Sequence, residues 1–286
     1  MIRLRSMLIH AAMLAGASSA HAAPVDPSLL ARGRYLGELA AACAECHSPQ
    51  GTDRRAIPGM VLAGGREIVQ RGWRAVVPNI TPDPETGIGR WTDAQIVEAI
   101  RNGRRPDGRL IGPPMPIEQY RGLSDRDVAA IVAWLRQVPP VRHLVAAKSS
   151  YPFKPTAWLR VVTVPEPADT PVARGRYLAG PVAHCIECHS PPLPGEWRDW
   201  SRIGAGGVPF EGPWGLVPSR NITRHRLAGI GNWSDDRIIA AITTGSSADG
   251  RKLIPPMSSR AGLWAQWTPG DMRDLVAYLR TLPAQD

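Results

Sequence analysis

Phenylalanine is nearly missing from this 286-residue chain: there are two, beside ten tryptophans, so aromatic packing must lean on indoles. Cysteine is spent completely. All four sit in two copies of one pattern, Cys43-Ala-Glu-Cys46-His47 and Cys185-Ile-Glu-Cys188-His189, which leaves none for a disulfide or a free thiol. A small disulfide scaffold is thereby excluded. Beyond residue 22 no run approaches the ~18 uninterrupted apolar residues that a membrane span needs. Strand signals are nearly absent. A basic stripe is missing as well, although Lys+Arg outnumber Asp+Glu by 34 to 25. That surplus is spread along the chain, which argues against nucleic acid and suits an acidic protein partner or an anionic membrane surface. At 43% hydrophobic and 21% charged, the chain can bury a core, and disorder throughout is excluded.

Residues 1–22 read as a secretory signal. Arg3 and Arg5 supply the positive start, Met7 to Ala20 the apolar stretch, and Ala20-His21-Ala22 the small-x-small cleavage site. Ala23 is the expected new N-terminus, and the expected compartment is the periplasm, with the protein soluble or peripherally attached to the membrane.

What the chain has in abundance is repetition. Ala31-Arg-Gly-Arg-Tyr-Leu36 recurs as Ala173-Arg-Gly-Arg-Tyr-Leu178, Asn79-Ile-Thr81 as Asn221-Ile-Thr223, and Gly87-Ile-Gly89 as Gly229-Ile-Gly231. Trp91 matches Trp233, Asp107-Gly-Arg109 matches Asp249-Gly-Arg251, and Met115 matches Met257, always 142 positions on. After the methionines the offset grows to 144, pairing Leu135-Arg136 with Leu279-Arg280. Two domains of one fold are expected, at 23–140 and 171–286, each of ordinary domain size. Between them, residues 141–170 carry Pro152, Pro155, Pro165 and Pro167 together with Tyr151, Phe153 and Trp158. Such aromatics predict a linker strapped along the domain surfaces and not a floppy tether.

Each repeat carries three helix signals. Asp26-Pro27 caps a helix over 28–46, with proline at its first position. Thr92-Asp-Ala-Gln95 is a capping box for a helix ending at Asn102-Gly103. A last helix runs from Ser124 to about Gln137, with Val128, Ile131, Val132 and Leu135 on one face, and Pro139-Pro140 stops it. Thr268-Pro269 and Pro283 bound its copy. High glycine and proline content, 57 residues in all, predicts long structured loops between the helices.

Cys-x-x-Cys-His is the attachment signature of c-type haem. The two thiols add across the two vinyl groups of one porphyrin. Three-residue spacing on a helical turn sets both on one side of the ring, and the next histidine aims its imidazole at the iron. Two covalently bound haems are therefore expected, on Cys43, Cys46 and His47 and on Cys185, Cys188 and His189. A sixth ligand is sought among few methionines. Met60 lacks a counterpart, and Met272 sits in the last helix, where it matches Val128 of the first repeat. Met115 and Met257 are paired, each 68 residues after its histidine and each following Pro-Pro. Proline holds such a loop in one shape, so a thioether can be presented without ordering cost. His/Met ligation raises the reduction potential and suits electron transfer. One zinc site built from both cysteine pairs is disfavoured, because 138 residues separate Cys46 from Cys185 where zinc ribbons use about 15–20.

Other candidates are less specific. Asn79 and Asn221 suit either a propionate contact or a turn. Trp91 and Trp233 suit pocket packing. Arg109 and Arg251 suit propionate pairing or solvent. Arg101, Arg104, Arg105 and Arg109 form a basic run ahead of Met115, suited to docking an acidic donor or to a wet loop. His143, His184 and His225 read as surface or local hydrogen-bonding residues.

Asn79-Ile-Thr-Pro-Asp83, Gly87-Ile-Gly89-Arg-Trp91-Thr-Asp93, Asp107-Gly108 and Pro114-Met115-Pro116, with their second copies, resemble the cytochrome c subunits of membrane-associated bacterial alcohol and gluconate dehydrogenases. The resemblance covers nearly the whole chain after residue 22. It implies an all-α architecture of two tandem class I cytochrome c-like domains with long loops. It also implies that the helix carrying Gly33 crosses the last helix near Trp134, with Gly175 and Tyr278 as the second set. Alcohol-oxidising subunits of that type carry three haems where this chain has two sites. Relatives of two-haem size, by resemblance, accompany other dehydrogenases, including molybdenum hydroxylases and flavoproteins. The expected role is to pass electrons from a partner dehydrogenase to quinone or a terminal oxidase. The rival is a dihaem redox enzyme of peroxidase or thiosulfate-oxidising type, which needs an open iron position; two proline-framed methionines argue against one.

Overall fold

The computed structural model describes residues 26–52, 55–70, 72–194 and 198–286. The expected signal at 1–22 lies outside them.

Asp26 accepts the Ser28 amide and caps α1 (Pro27–Arg34), where Pro27 supplies a helical φ and lacks an N–H that would go unpaired. α1 passes into a π-helical turn, Tyr35–Ala40, closed by the Ala41 N–H on the Leu36 carbonyl at 2.8 Å. Ala42 then takes a left-handed φ of 53°, and α2 (Cys43–His47) starts afresh. A continuous helix over 28–46 is thus corrected: the widened turn and the left-handed residue divide it. A short hairpin follows, β1 (Glu67–Gln70) against β2 (Trp73–Val76). The Thr92–Gln95 capping box opens α3 (Asp93–Asn102), which ends on left-handed Gly103. α4 (Ile117–Tyr120) follows Pro116, and α5 (Asp125–Gln137) is capped by Ser124.

The second half repeats this order. Thr170 caps α6 (Pro171–Tyr177), a π-helical turn spans Leu178–Val182, and His184 takes the left-handed place of Ala42 with φ 46°. α7 (Cys185–Cys188) is followed by a hairpin, β3 (Pro209–Gly212) against β4 (Gly215–Pro218). α8 (Asp235–Thr244), α9 (Met257–Trp264) and α10 (Pro269–Leu279) complete it. The structure is helical, but the two hairpins correct the all-α expectation. Each strand has four residues, too few for alternation to show, and the proline and glycine at the ends of β3 and β4 read as loop.

In each half the first helix crosses the last at backbone contact. A Cβ on Gly33 would lie 1.9 Å from the Ala130 carbonyl oxygen and 3.0 Å from the Trp134 Cβ. On Gly175 it would lie 1.8 Å from the Asp274 oxygen and 2.8 Å from the Tyr278 Cβ. Only glycine fits either crossing, where the resemblance expected it.

The halves then pack on each other about a pseudo-two-fold. Tyr35 donates its hydroxyl to Asp271 at 2.6 Å, and its copy Tyr177 donates to Asp127 at 2.8 Å. α4 packs on the second π-helical turn and α9 on the first. Each half thus reaches across with the same surface, the self-complementary pattern of an isologous dimer written in one chain. Leu36, Tyr120, Leu123, Val128 and Trp134 join Tyr177, Val182, Ile186, Trp264 and Leu275 in one continuous core.

Residues 141–164 run extended along the first half only. Ser150 exchanges two backbone hydrogen bonds with Arg74, the Asn102 side-chain amide exchanges two with the Val161 backbone, and the Asp125 N–H bonds the Val164 carbonyl. Tyr151 lies against Trp73 and Phe153 with ring centroids 5.9 and 5.6 Å apart. The strap expected from the aromatics is present, and one half wears it.

Candidate functional site

Each Cys-x-x-Cys-His segment is held by the same set of bonds. The His47 carbonyl accepts from the Gly64 N–H at 2.7 Å, and the His189 carbonyl from the Gly206 N–H at 2.7 Å. Ser48 and Ser190, both fully buried, accept from the Leu62 and Gly204 amides through their hydroxyls at 3.1 Å. Arginine closes the first turn in both copies, Arg66 on the Glu45 carbonyl and Arg198 on the Glu187 carbonyl. The loop after each histidine therefore folds back and pins the segment.

The decisive contact is at the imidazoles. His47 Nδ1 lies 2.9 Å from the Pro78 carbonyl oxygen, and His189 Nδ1 lies 2.6 Å from the Arg220 carbonyl oxygen. A carbonyl only accepts, so Nδ1 carries the hydrogen and Nε2 keeps its lone pair. Burial lowers both imidazole pKa values, opposed by these carbonyl bonds, so both rings are neutral at pH 7. Orienting a ligating histidine through its other nitrogen is how proteins prepare Nε2 for a metal.

The thiols sit in apolar surroundings. Burial first, then the neighbouring Cys46, pushes the Cys43 thiol up to about 12. Burial takes Cys185 to about 11 against the opposing charge of Arg260, and Cys188 to about 12 with Glu187 adding to it. Protonated, buried thiols are poor nucleophiles and poor zinc ligands. Among the described residues no three His, Cys, Asp or Glu side chains gather to hold a metal ion, and the four cysteines form no disulfide.

Met115 and Met257 both lie half-buried against the core, as do Cys43 and Cys185. Each follows a Pro-Pro pair joined by a cis peptide bond, Pro113–Pro114 and Pro255–Pro256. Met115 precedes α4, whereas Met257 is the first residue of the longer α9. Met272 is 4% exposed inside the core, matching Val128 at 2%. Two thiols, an imidazole prepared through Nε2 and a thioether on a stiff loop fit haem in chemistry, twice over.

Several side candidates resolve. Asn79 Oδ1 accepts from the Thr81 N–H and hydroxyl at 2.9 and 2.8 Å, while its Nδ2 donates to Thr86 and to the Val141 carbonyl. Asn221 does likewise toward Thr223 and the Gln285 carbonyl. Both are turn holders, Asn79 with both amide hydrogens engaged and Asn221 with one. Arg109 and Arg251 pair with Asp107 and Asp249 at 2.7 and 2.8 Å in solvent. The basic run is corrected as a docking surface. Arg101 is 2% exposed and bonds the Leu123 and Val162 carbonyls, Arg104 bonds the Trp158 carbonyl, and Arg105 lies over Trp91 at 5.2 Å. His143 anchors the strap on the Ala63 carbonyl at 2.9 Å, and His225 pairs with Asp286. His184 is corrected from surface to interior: it is 8% exposed, edge-on to Tyr120 at 6.0 Å, and burial, then Arg260, lowers its pKa to about 3. Position 42, its alanine counterpart, offered no hint of this.

Two half-buried Cys-Cys-His units, each with an imidazole oriented through Nδ1, define a protein class that binds metalloporphyrin covalently. The cytochrome c family profile matches residues 31–139. A diheme cytochrome c-type protein of Cereibacter sphaeroides is 32% identical over 86% of this chain and 83% of its own length. The cytochrome c subunit of the quinone alcohol dehydrogenase of Gluconobacter oxydans is 33% identical, and the fructose dehydrogenase cytochrome subunit of Gluconobacter japonicus 32%. These matches cover 93% and 96% of this chain but 57% and 58% of those subunits, so the chain spans under three-fifths of their length. The chain belongs to the c-type cytochrome family, which implies covalently bound haem c.

Proposed function

We propose that this chain is a dihaem electron carrier that takes single electrons from a partner dehydrogenase and delivers them to quinone or a terminal oxidase. Two tandem cytochrome c domains, 23–140 and 171–286, each hold one haem through Cys43, Cys46 and His47 or Cys185, Cys188 and His189. Met115 and Met257 are the sixth ligands, and 141–170 is the linker. One observation carries the reading: the histidine Nδ1-to-carbonyl bond is made in both copies, at 2.9 and 2.6 Å, by residues 142 positions apart.

Bound haem iron supplies reversible one-electron chemistry. The residues of the chain do the rest. Pro78 and Arg220 carbonyls fix the imidazoles and raise their basicity. The apolar core around Cys43 and Cys185 excludes water and favours the less charged redox state. Proline-framed thioethers close the remaining coordination position against exogenous ligands. The reciprocal Tyr–Asp bonds hold the halves in one arrangement, so exchange between the two sites is intramolecular. Names among the relatives support a dehydrogenase partner: alcohol, fructose and gluconate dehydrogenase cytochrome subunits, and a subunit of nicotinate dehydrogenase. Among the described residues no helix is long and apolar enough to cross a membrane. Export by 1–22 places the carrier in the periplasm, soluble or held peripherally at the membrane.

The test is mass spectrometry and spectroscopy of the exported protein. Two covalent haems and no carbon monoxide complex in the reduced state are expected. A colourless product refutes the haem reading. A tight carbon monoxide complex or peroxide turnover at one haem replaces the carrier with a dihaem enzyme.

A further inference from the structure

Arg224, His225, Arg226 and Leu227 stand where the first half has Pro82, Asp83, Pro84 and Glu85, 142 positions earlier. The loop keeps its shape through the exchange. In half one the Asp83 carboxylate accepts the Glu85 and Thr86 amides at 3.1 and 2.6 Å. In half two His225 Nδ1 accepts the Leu227 and Ala228 amides at 3.2 and 2.9 Å. The turn makes no use of the Arg224 and Arg226 side chains. Both are exposed, and neither forms an ion pair among the described residues.

What covers the loop also matches between the halves, with the charges exchanged. Asn79 and Thr81 hold the Val141 backbone, and Asn221 and Thr223 hold the Gln285 backbone in the same way. The next residue is Arg142 in one half, paired to Glu85 at 2.7 Å, and Asp286 in the other, paired to His225 Nε2 at 2.9 Å. Half one thus meets an acidic loop with a basic residue of its own strap. In half two the acid supplied, Asp286, is taken by His225, and the two arginines stay unmatched. They line an open hollow with His225, Leu227, Asn232 and Ala284, where Leu227 is 89% exposed. The loop leaves the second site directly, since the carbonyl of Arg220, which holds His189 at 2.6 Å, opens the segment that leads to Arg224.

We propose that the loop of Arg224, His225, Arg226 and Leu227 is the docking face for an acidic protein surface, that of the redox partner of the second site. This rests on the carrier reading above. Charge complementarity carries it: in half one the same face is covered by a polypeptide segment of charge opposite to the loop, and in half two the excess charge of the loop is left for another chain to match. Two guanidiniums offer forked donors to carboxylates, and Leu227 adds an apolar contact at their side. A hollow suits the side chains of a protein more than the face of a lipid layer. Opposed charges steer such an encounter and fix its register.

Binding of a fluorescent acidic peptide, glutamates flanking a leucine pair, to the purified holoprotein at low salt tests it. Wild type binds, and added salt weakens the complex. R224E/R226E weakens it about tenfold or more, and R224Q/R226Q carries the same comparison should the charge reversal lose the fold. L227S weakens it several-fold. R126E/R273E, which reverses two exposed arginines on α5 and α10, leaves it near wild type. If wild type fails to bind, if R126E/R273E weakens binding as much as R224E/R226E, or if L227S has no effect, the docking face is wrong. Phosphatidylglycerol vesicles are the second probe: vesicle binding lost in R224E/R226E with peptide binding kept assigns the face to lipid and overturns the proposal. Haem content of the wild type is measured first by mass. Fewer than two haems overturns both readings, whereas two haems without peptide binding overturns this one alone.

Discussion

The two halves carry the same site but not the same cover. Around the histidines they agree bond for bond: Ser48 with Ser190, Gly64 with Gly206, the Pro78 carbonyl with that of Arg220. Around the methionines they part. Tyr151 of the strap donates its hydroxyl to the Pro113 carbonyl at 2.7 Å and so clamps the loop that presents Met115. Met257 has no strap over it and instead opens an eight-residue helix that packs across the boundary. His47 is 8% exposed, while His189 is only half-buried. In half one Pro82, Asp83 and Pro84 lie beside the strap, with Glu85 paired to Arg142 at 2.7 Å. In half two Arg224, His225 and Arg226 stand in those places, and Leu227 beside them is 89% exposed. Duplication preserved what orients the histidines and let diverge what surrounds the methionines, so the two sites share local geometry and differ in access.

Breaking that equivalence has its largest effect at the methionines. M115A and M257A are each expected to abolish the sulfur-to-iron absorption of one haem, leave the other, and lower one midpoint; near-infrared spectra and redox titration read this. If neither variant loses the band, Met115 and Met257 are not the ligands.

The next effect lies between the halves. Ser124 donates its N–H to the Tyr177 hydroxyl at 3.1 Å, and Arg32 holds Asp127 with two bonds at 2.8 and 2.7 Å. Y177F strands that buried amide and is expected to cost about 1.5–3 kcal/mol, the range for a buried bond to a charged group. Y35F, at the more accessible end, should cost about 1 kcal/mol. Denaturant unfolding of both variants measures the gap, and equal losses would show the interface to be more symmetric than its burial. The alkaline limb sharpens the same comparison. Burial, then the Asp127 charge, raises the Tyr177 pKa, so the folded state holds that proton more tightly than the unfolded chain. That contribution is fully present below the ordinary value of about 10 and fades as pH rises through the folded-state value. Y177F should flatten this part of the pH dependence.

Smallest is the strap. Y151F keeps the ring tilted against Trp73 and removes one hydrogen bond, worth about 1 kcal/mol. Imidazole should then displace the first thioether several-fold more readily and the second unchanged, as followed by absorption. An equal gain at both sites would deny the strap a role at Met115.

Much of this was legible in one dimension because duplication wrote it twice. The Cys-x-x-Cys-His units, the paired methionines, the capping box at Thr92, the helix start at Ser124 and the glycine crossings are local signals or fixed offsets. The hairpins escaped because four-residue strands carry no period. His184 escaped because burial belongs to what Tyr120 brings against it, and the arginine run escaped because the strap that consumes it comes 50–60 residues later.

By itself, then, the sequence determined two Cys-x-x-Cys-His units, the motif that implies covalent haem attachment, since the motif lies within one helical turn. Only the tertiary structure decided which imidazole nitrogen stays free and which half is covered. Those depend on carbonyls, straps and helices distant in the chain, and no spacing along a polymer encodes a distance between segments that fold back to meet.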